Sequence, residues 1–286
     1  MNRVDDEQSL PTLGGVPITV PSAQDMRLAM LLWGDAGCGK TTLAATAPGR
    51  KLFIMFDPDG ALSLSVRDDI SVLDLSDRNY LTVMGEFRKD DPFTLGRFLA
   101  AQPDIDTVVV DSMTTLAYMA LLEAVSRGKS STIEQPGMNG YTWRNAVVLR
   151  AATSIMQITK RLDRNVIFIT HEGSADRDTE GRVISVTMAL SEGVANQVGL
   201  RLNEVWWMRD TDGKRFIAVR PCRQHKPMKS RLFDAPQMEF EWHYSPDTQV
   251  GEGIADWFEA WQANKGKRIP LPVQAKSTLS KGGHKK

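Results

Sequence analysis

The chain has 286 residues, 42% hydrophobic and 24% charged, with 35 Lys/Arg balancing 35 Asp/Glu, a size that suits one large domain with extensions. No stretch approaches the ~20 apolar residues of a membrane span. The polar, acidic start from Met1 to Gln8 lacks a signal-peptide core, and two cysteines, Cys38 and Cys222, give neither a disulfide framework nor a metal cluster. These features predict a soluble cytoplasmic protein with no membrane partner.

The charge is unevenly spread. Residues 264–286 carry seven Lys/Arg and no acid, which leaves the preceding body at a net −7. Three regions follow: an arm over residues 1–24, a core over 25–263, and a basic, disordered tail over 264–286. Such a tail either holds nucleic acid or simply stays solvated.

After the Pro/Gly-containing arm, Arg27 to Trp33 is apolar enough for a buried strand. The next residues, Gly34-Asp35-Ala36-Gly37-Cys38-Gly39-Lys40-Thr41-Thr42, fit G-x-x-x-x-G-K-[ST], and Thr41 to Ala47 suits a helix start. The glycines let successive backbone N–H groups converge on phosphate oxygens, helped by the positive end of the following helix. Lys40 supplies a full charge for the β- and γ-phosphates, and Thr41 a hydroxyl for Mg²⁺, which prefers oxygen ligands. Cys38 is expected to be a small filler within this loop.

Lys51 to Phe56 reads as a buried parallel strand ending at Asp57-Pro58-Asp59-Gly60. Ile70 to Leu75 is expected as another strand and Pro92 to Ala101 as a short helix. Asp106 to Asp111 is a β-branched run that ends in an acid followed by Ser112. Asp111 is thereby placed beside the phosphate loop, where it would hold Mg²⁺ through water. Met113 to Ser126 suits a helix, and 128–140 a long polar loop. Trp143, Val147, Ala151, Ile155, Ile158 and Leu162 then recur at steps of three and four, the core stripe of a helix.

Asn165 to Thr170 is a further buried strand, ending at His171-Glu172, and 173–182 is a second polar loop. A strand (Val183–Leu190), a helix (Glu192–Leu202), strands near Glu204–Arg209 and Arg215–Arg220, a last strand (Phe240–Tyr244) and an amphipathic helix (Gly253–Trp261) complete the body. Buried strands alternating with helices predict an α/β fold with a mostly parallel central sheet and helices on both faces. Ligands bind such sheets at the carboxyl ends of the strands, where the phosphate loop, Asp57/Asp59, Asp111 and His171 all fall.

The order of phosphate loop, acid-ended strand (FDPDG), second acid-ended strand (TVVVDS), amphipathic helix, strand ending in a polar residue (IFITHE), flexible loop and β-rich segment resembles the RecA-type P-loop ATPase core. It is most similar to small phage-encoded RecA-like nucleotide-binding proteins, some of which assist single-strand annealing, over residues 26–235. The resemblance implies ATP and Mg²⁺ as cofactors. It implies that Asp59, 19 positions after Lys40, orients the attacking water, with Asp57 a rival and Glu172 an alternative. His171 stands where the family keeps a γ-phosphate sensor. Loops 128–140 and 173–182 fall where the family contacts DNA, which makes Lys129, Arg177 and Arg182 candidates for phosphate contacts. Lys226, Lys229 and Arg231 are candidates for a cation that reaches a neighbouring subunit's γ-phosphate in a ring or filament, with Lys229 the preferred one.

The function this implies is ATP hydrolysis on single-stranded DNA in phage recombination or replication, in the host cytoplasm. The alternative is a nucleotide-gated protein of slow turnover that recruits partners such as a single-strand binding protein. A P-loop kinase is disfavoured: 71 residues and an acid-ended strand separate Lys40 from Asp111, and no Arg-rich lid is evident.

Overall fold

The computed structural model describes residues 12–14, 16–18, 20, 22–57, 60–76, 93–130, 132–221, 225, 228–234 and 239–272. Among them, eight strands form the central sheet: β1 (Ala29–Gly34), β2 (Arg50–Met55), β3 (Ile70–Asp74), β4 (Ile105–Asp111), β5 (Asn165–His171), β6 (Glu204–Thr211), β7 (Lys214–Ala218) and β8 (Glu239–Trp242). Their spatial order is β8-β7-β6-β1-β5-β4-β2-β3. From β6 to β3 every neighbouring pair is parallel, while β7 and β8 extend one edge antiparallel. The loop-bearing strand β1 thus lies between β6 and β5, and acid-tipped β4 is one strand further on.

The central parallel strands β1, β4 and β5 are buried along almost their whole length because both faces are covered. Leu31 and Trp33 of β1 pack on one face with Val108, Val110 and Phe168, whereas Met30 and Leu32 pack on the other with Val109, Ile167 and Ile169. The first face is covered by α3 (Met113–Ser126), α4 (Gly137–Arg161) and α5 (Glu192–Arg201), and Leu99 joins the same cluster. The stripe predicted for α4 holds: Val147, Ala151, Ile155 and Ile158 are buried there, with Trp143 and Leu162 partly buried against the same cluster. The second face takes α1 (Lys40–Ala45), through Leu43 and Ala44, and α6 (Ile254–Ala263), through Trp257, Phe258 and Trp261. A further helix, α2, spans Phe93–Ala101. This is the expected α/β class, a mostly parallel central sheet with helices on both faces.

Local expectations differ in three places. Helix α4 begins at Gly137, so the polar loop after α3 is shorter than the sequence suggested; Pro136 already holds helical angles at the N-cap (φ −69°, ψ −16°). Val183–Leu190 does not enter the sheet, because both sides of β5 are taken by β1 and β4. Val183–Ser185 pairs instead with Asp176–Arg177, across the loop expected at 173–182. Finally, residues 264–272, assigned to the tail, continue onto the body: Ile269 is buried and pairs with Phe233. Residues 273–286 lie outside the described residues. Among the described residues, no helix is long and apolar enough to cross a membrane.

Candidate nucleotide site

The phosphate loop leaves β1 where that strand is hemmed in on both sides. Gly34 pairs with His171 of β5 and with Met208 of β6. A Cβ on Gly34 would lie 1.9 Å from the Met208 carbonyl oxygen, so only glycine fits this exit. The loop enters α1 at Gly39, whose φ of 94° is again a glycine conformation. Helix α1 is only six residues long. Its dipole is therefore a small contributor, and the loop's N–H groups with Lys40 are the main anion-attracting elements.

Lys40 is 5% exposed, and its ammonium donates to Gly34 O at 2.9 Å and Asp35 O at 2.5 Å. These carbonyls occupy donors that phosphate oxygens would take. Cys38 is buried 3.7 Å from the same ammonium, and its burial pushes the thiol pKa up. It is therefore a filler rather than a reactive thiolate.

Thr41 Oγ1 donates to Asp111 Oδ2 at 2.7 Å, joining α1 to the tip of β4. Asp111 is 3% exposed. Its pKa is pushed up to about 6, chiefly by burial and also by the nearby Asp57 charge, against the Thr41 hydrogen bond and the Lys40 charge. A buried carboxylate with too little positive charge around it suits a cation. Thr41 and Asp111 supply the oxygens that Mg²⁺ favours, and Mg²⁺ bound with phosphates needs few protein ligands. The residues present therefore fit a Mg²⁺–nucleotide. In that complex Thr41 and Asp111 would hold the metal, and Lys40 the β- and γ-phosphates.

A second network lies at the tips of β2 and β5. The Asp57 carboxylate accepts from Ser112 Oγ (3.1 Å), from Thr115 Oγ1 and from His171 Nε2 (3.2 Å). Burial works to raise its pKa, but hydrogen bonds from His171, Thr115 and Ser112 outweigh it and hold the carboxyl below its usual value. Such a carboxylate is a weak base and a good orienter. Since ionised Asp57 can only accept, His171 must donate from Nε2. Among the described residues, His171 Nδ1 is buried without a hydrogen-bond partner. Thr114 Oγ1 fixes the strand end by accepting from the His171 backbone N–H at 2.9 Å.

Glu172 follows at the same edge, its N–H bonded to Gly34 O at 2.9 Å. Its carboxylate accepts from Trp207 Nε1 at 2.7 Å. Burial raises its pKa, against that hydrogen bond.

The structure thus brings together Gly34–Thr42, Asp57, Asp111, His171 and Glu172. Asp59, like Lys226, lies outside the described residues. Lys229 sits elsewhere in its own chain. It pairs with Val205 through both backbone groups, and its ammonium donates to Leu200 O at 3.4 Å. Val205 is opposite Leu31, three residues before Gly34, which puts Lys229 roughly 10 Å of strand below its own loop. Arg231 is beside it, its N–H bonded to buried Glu204. In the expected DNA loops, Lys129 lies 6.0 Å from the Trp143 ring, Arg177 donates to Gly181 O at 2.8 Å, and Arg182 pairs with Glu180.

Sequence reading missed Thr115 and Ser112 as partners of Asp57, Trp207 as partner of Glu172, and Arg215, which lies against Gly39. For Arg215 a signal existed: strand alternation puts it on the face of Ile217, which is buried in the core, and a cation at a core-facing position is anomalous.

The family described as an AAA domain matches residues 26–232 of this chain. No curated protein matches it. Among solved structures, the RadB recombinase is similar at 12% identity with a TM-score of 0.43, covering 77% of this chain and 88% of its own. A KaiC-like protein from the hyperthermophilic archaeon Pyrococcus horikoshii is similar at 13% identity with a TM-score of 0.43, covering 79% of this chain and 88% of its own.

Proposed function

The chain belongs to the AAA domain family, and on that premise we propose that it binds and hydrolyses ATP with Mg²⁺ while acting on single-stranded DNA. One observation carries the catalytic half: a phosphate loop whose Thr41 is hydrogen-bonded to a buried, cation-deficient Asp111. Lys40 binds phosphate, Thr41 and Asp111 place the metal, and Asp57, Glu172 and His171 address the water and the γ-phosphate. His171, its ring held through Nε2 by Asp57, stands at the strand end that faces the phosphate loop. Asp59 remains a candidate for orienting water beside Asp57.

The DNA half rests on the basic residues of loops 128–140 and 173–182 and on the basic tail, in a protein of phage recombination or replication. Lys229 acts in trans in this reading, at a ring or filament interface. Its distance from its own loop is compatible with that role. Mixing Lys229→Gln with Lys40→Ala subunits then restores part of the turnover; mixed oligomers that regain none would exclude it.

The weak basicity of Asp57 favours a second reading, a slow ATPase whose nucleotide state gates partner binding. ATP turnover measured with and without single-stranded DNA, in wild type and Lys40→Ala, tests the proposal and separates these readings.

A further inference from the structure

Arg215 stands on β7 at the antiparallel edge of the sheet, yet its side chain lies on the phosphate loop. A Cβ built on Gly39 would meet Arg215 Cδ and Nε at 3.0 Å and Cζ at 3.2 Å. The guanidinium is therefore in contact with the loop's last glycine, the residue immediately before Lys40. Across the ladder Arg215 is paired with Trp242 of β8, and its Cζ is 5.9 Å from that ring's centroid. Trp242 is 4% exposed and stacks in turn on Tyr244, at 5.4 Å and 9°. The arginine is thus steered onto the loop by a fixed aromatic support.

What Arg215 lacks is an acceptor. Among the described residues, its guanidinium makes no hydrogen bond and no ion pair. The carboxylate best placed by register, Asp210 directly across the hairpin, instead accepts the Gly213 N–H of the turn at 2.9 Å. Arg215 is half-buried but its guanidinium donors reach solvent, which leaves five N–H groups open to the oxygens of a ligand. Arg67, by contrast, is held by Asp69 and the Tyr244 hydroxyl.

We propose that Arg215 is a second, same-chain phosphate-binding residue of the nucleotide site, gripping the α/β-diphosphate from the side of Gly39. This rests on the nucleotide-binding reading above and deepens it. The assignment to the α/β-phosphates follows from position. The loop glycines serve those phosphates, while Lys40 and the Thr41-bound metal reach towards the γ-phosphate. A planar guanidinium binds phosphate oxygens in pairs, which an ammonium cannot do. The contact also ties nucleotide occupancy to β7 and β8, because Arg215 can meet a phosphate only while its stem remains between Gly39 and Trp242.

Calorimetric titration of the full chain with ADP, ATP and inorganic pyrophosphate tests this, on wild type, Arg215→Gln and Arg215→Lys, with thermal midpoints measured alongside. Arg215→Gln is expected to weaken ADP, ATP and pyrophosphate by a similar factor, about 10- to 100-fold, with its midpoint nearly unchanged. Arg215→Lys is expected to recover part of that loss. Equal weakening of pyrophosphate and ADP puts the loss on the phosphates; a merely structural role for Arg215 in supporting Trp242 would spare pyrophosphate. Unchanged ADP and pyrophosphate binding in a folded Arg215→Gln overturns the inference. If Arg215→Gln does not fold, Arg215→Lys decides: several-fold weaker pyrophosphate binding supports the inference and wild-type binding overturns it. Wild-type protein that binds none of the three ligands refutes instead the nucleotide reading on which the inference stands.

Discussion

Thr41 Oγ1 lies 2.7 Å from Asp111 Oδ2, so the first turn of α1 is bonded to the tip of β4, with β5 lying between β1 and β4 in the sheet. Two motifs 70 residues apart in sequence meet because strand order interleaves them. The contact also explains why a carboxylate that is 3% exposed is tolerated: it has one donor, and room in its chemistry for a cation.

Asp111→Asn is expected to reduce Mg²⁺-dependent turnover about 100-fold while changing nucleotide affinity much less, since the carboxylate serves mainly to place the metal. Initial rates against Mg²⁺ concentration, compared with ADP affinity, check this. Equal losses in both would assign Asp111 a structural role.

Asp57 and His171 are expected to act as a unit, because one carboxylate oxygen holds the ring nitrogen at 3.2 Å. In single-turnover experiments Asp57→Asn and His171→Ala should each slow the chemical step about 10- to 1,000-fold, and the double variant should be little worse than either single one. Additive effects would show two independent roles. Asp59→Asn in the same assay tells whether the water is oriented from position 59 or from position 57.

Trp207→Phe removes the N–H that donates to Glu172 at 2.7 Å. That hydrogen bond favours the charged carboxylate, so its loss raises the Glu172 pKa further above the ordinary value. If Glu172 must be ionised for turnover, the acid limb of the kcat–pH profile moves to higher pH in this variant. A limb that stays in place removes Glu172 from the reaction.

Asp69 accepts from Arg67 and from the buried Lys51, and although burial opposes it, these hydrogen bonds and charges hold its pKa at about 2, below the usual 3.8. A carboxylate depressed on folding adds stability that is complete above the unfolded pKa and is lost as pH falls through the folded one. Asp69→Asn should therefore cost about 1 to 2 kcal/mol at pH 7, after allowance for solvent screening, and the difference should close between about pH 4 and pH 2. Urea denaturation of both proteins across that range measures it. A gap independent of pH would mean that the loss is one of packing.

The centre of the sheet was legible because β1, β4 and β5 are buried on both faces and read as largely apolar runs. The strand ends were legible because Gly34–Thr42, Asp111 and His171 break those runs with residues the core would otherwise exclude. The antiparallel edge was less so. Alternation sets Arg215 on the same face as buried Ile217, but its meeting with Gly39 depends on β7 folding back along β6. The Asp57 network was hidden for a similar reason: Ser112 and Thr115 are common helix-capping types, and Ser112 does cap α3 by accepting the Thr115 N–H. Their second task, holding Asp57, depends on the β2–β4 register that pairs Met55 with Asp111.

The most direct test of the account is the steady-state ATP hydrolysis rate of wild type and Lys40→Ala, each with and without single-stranded DNA. The account predicts Mg²⁺-dependent hydrolysis by wild type that rises when DNA is added, and a loss of about 10-fold or more in Lys40→Ala under both conditions. Wild-type hydrolysis that DNA leaves unchanged would contradict the DNA half, and a Lys40→Ala protein that hydrolyses ATP as fast as wild type would contradict the nucleotide site itself.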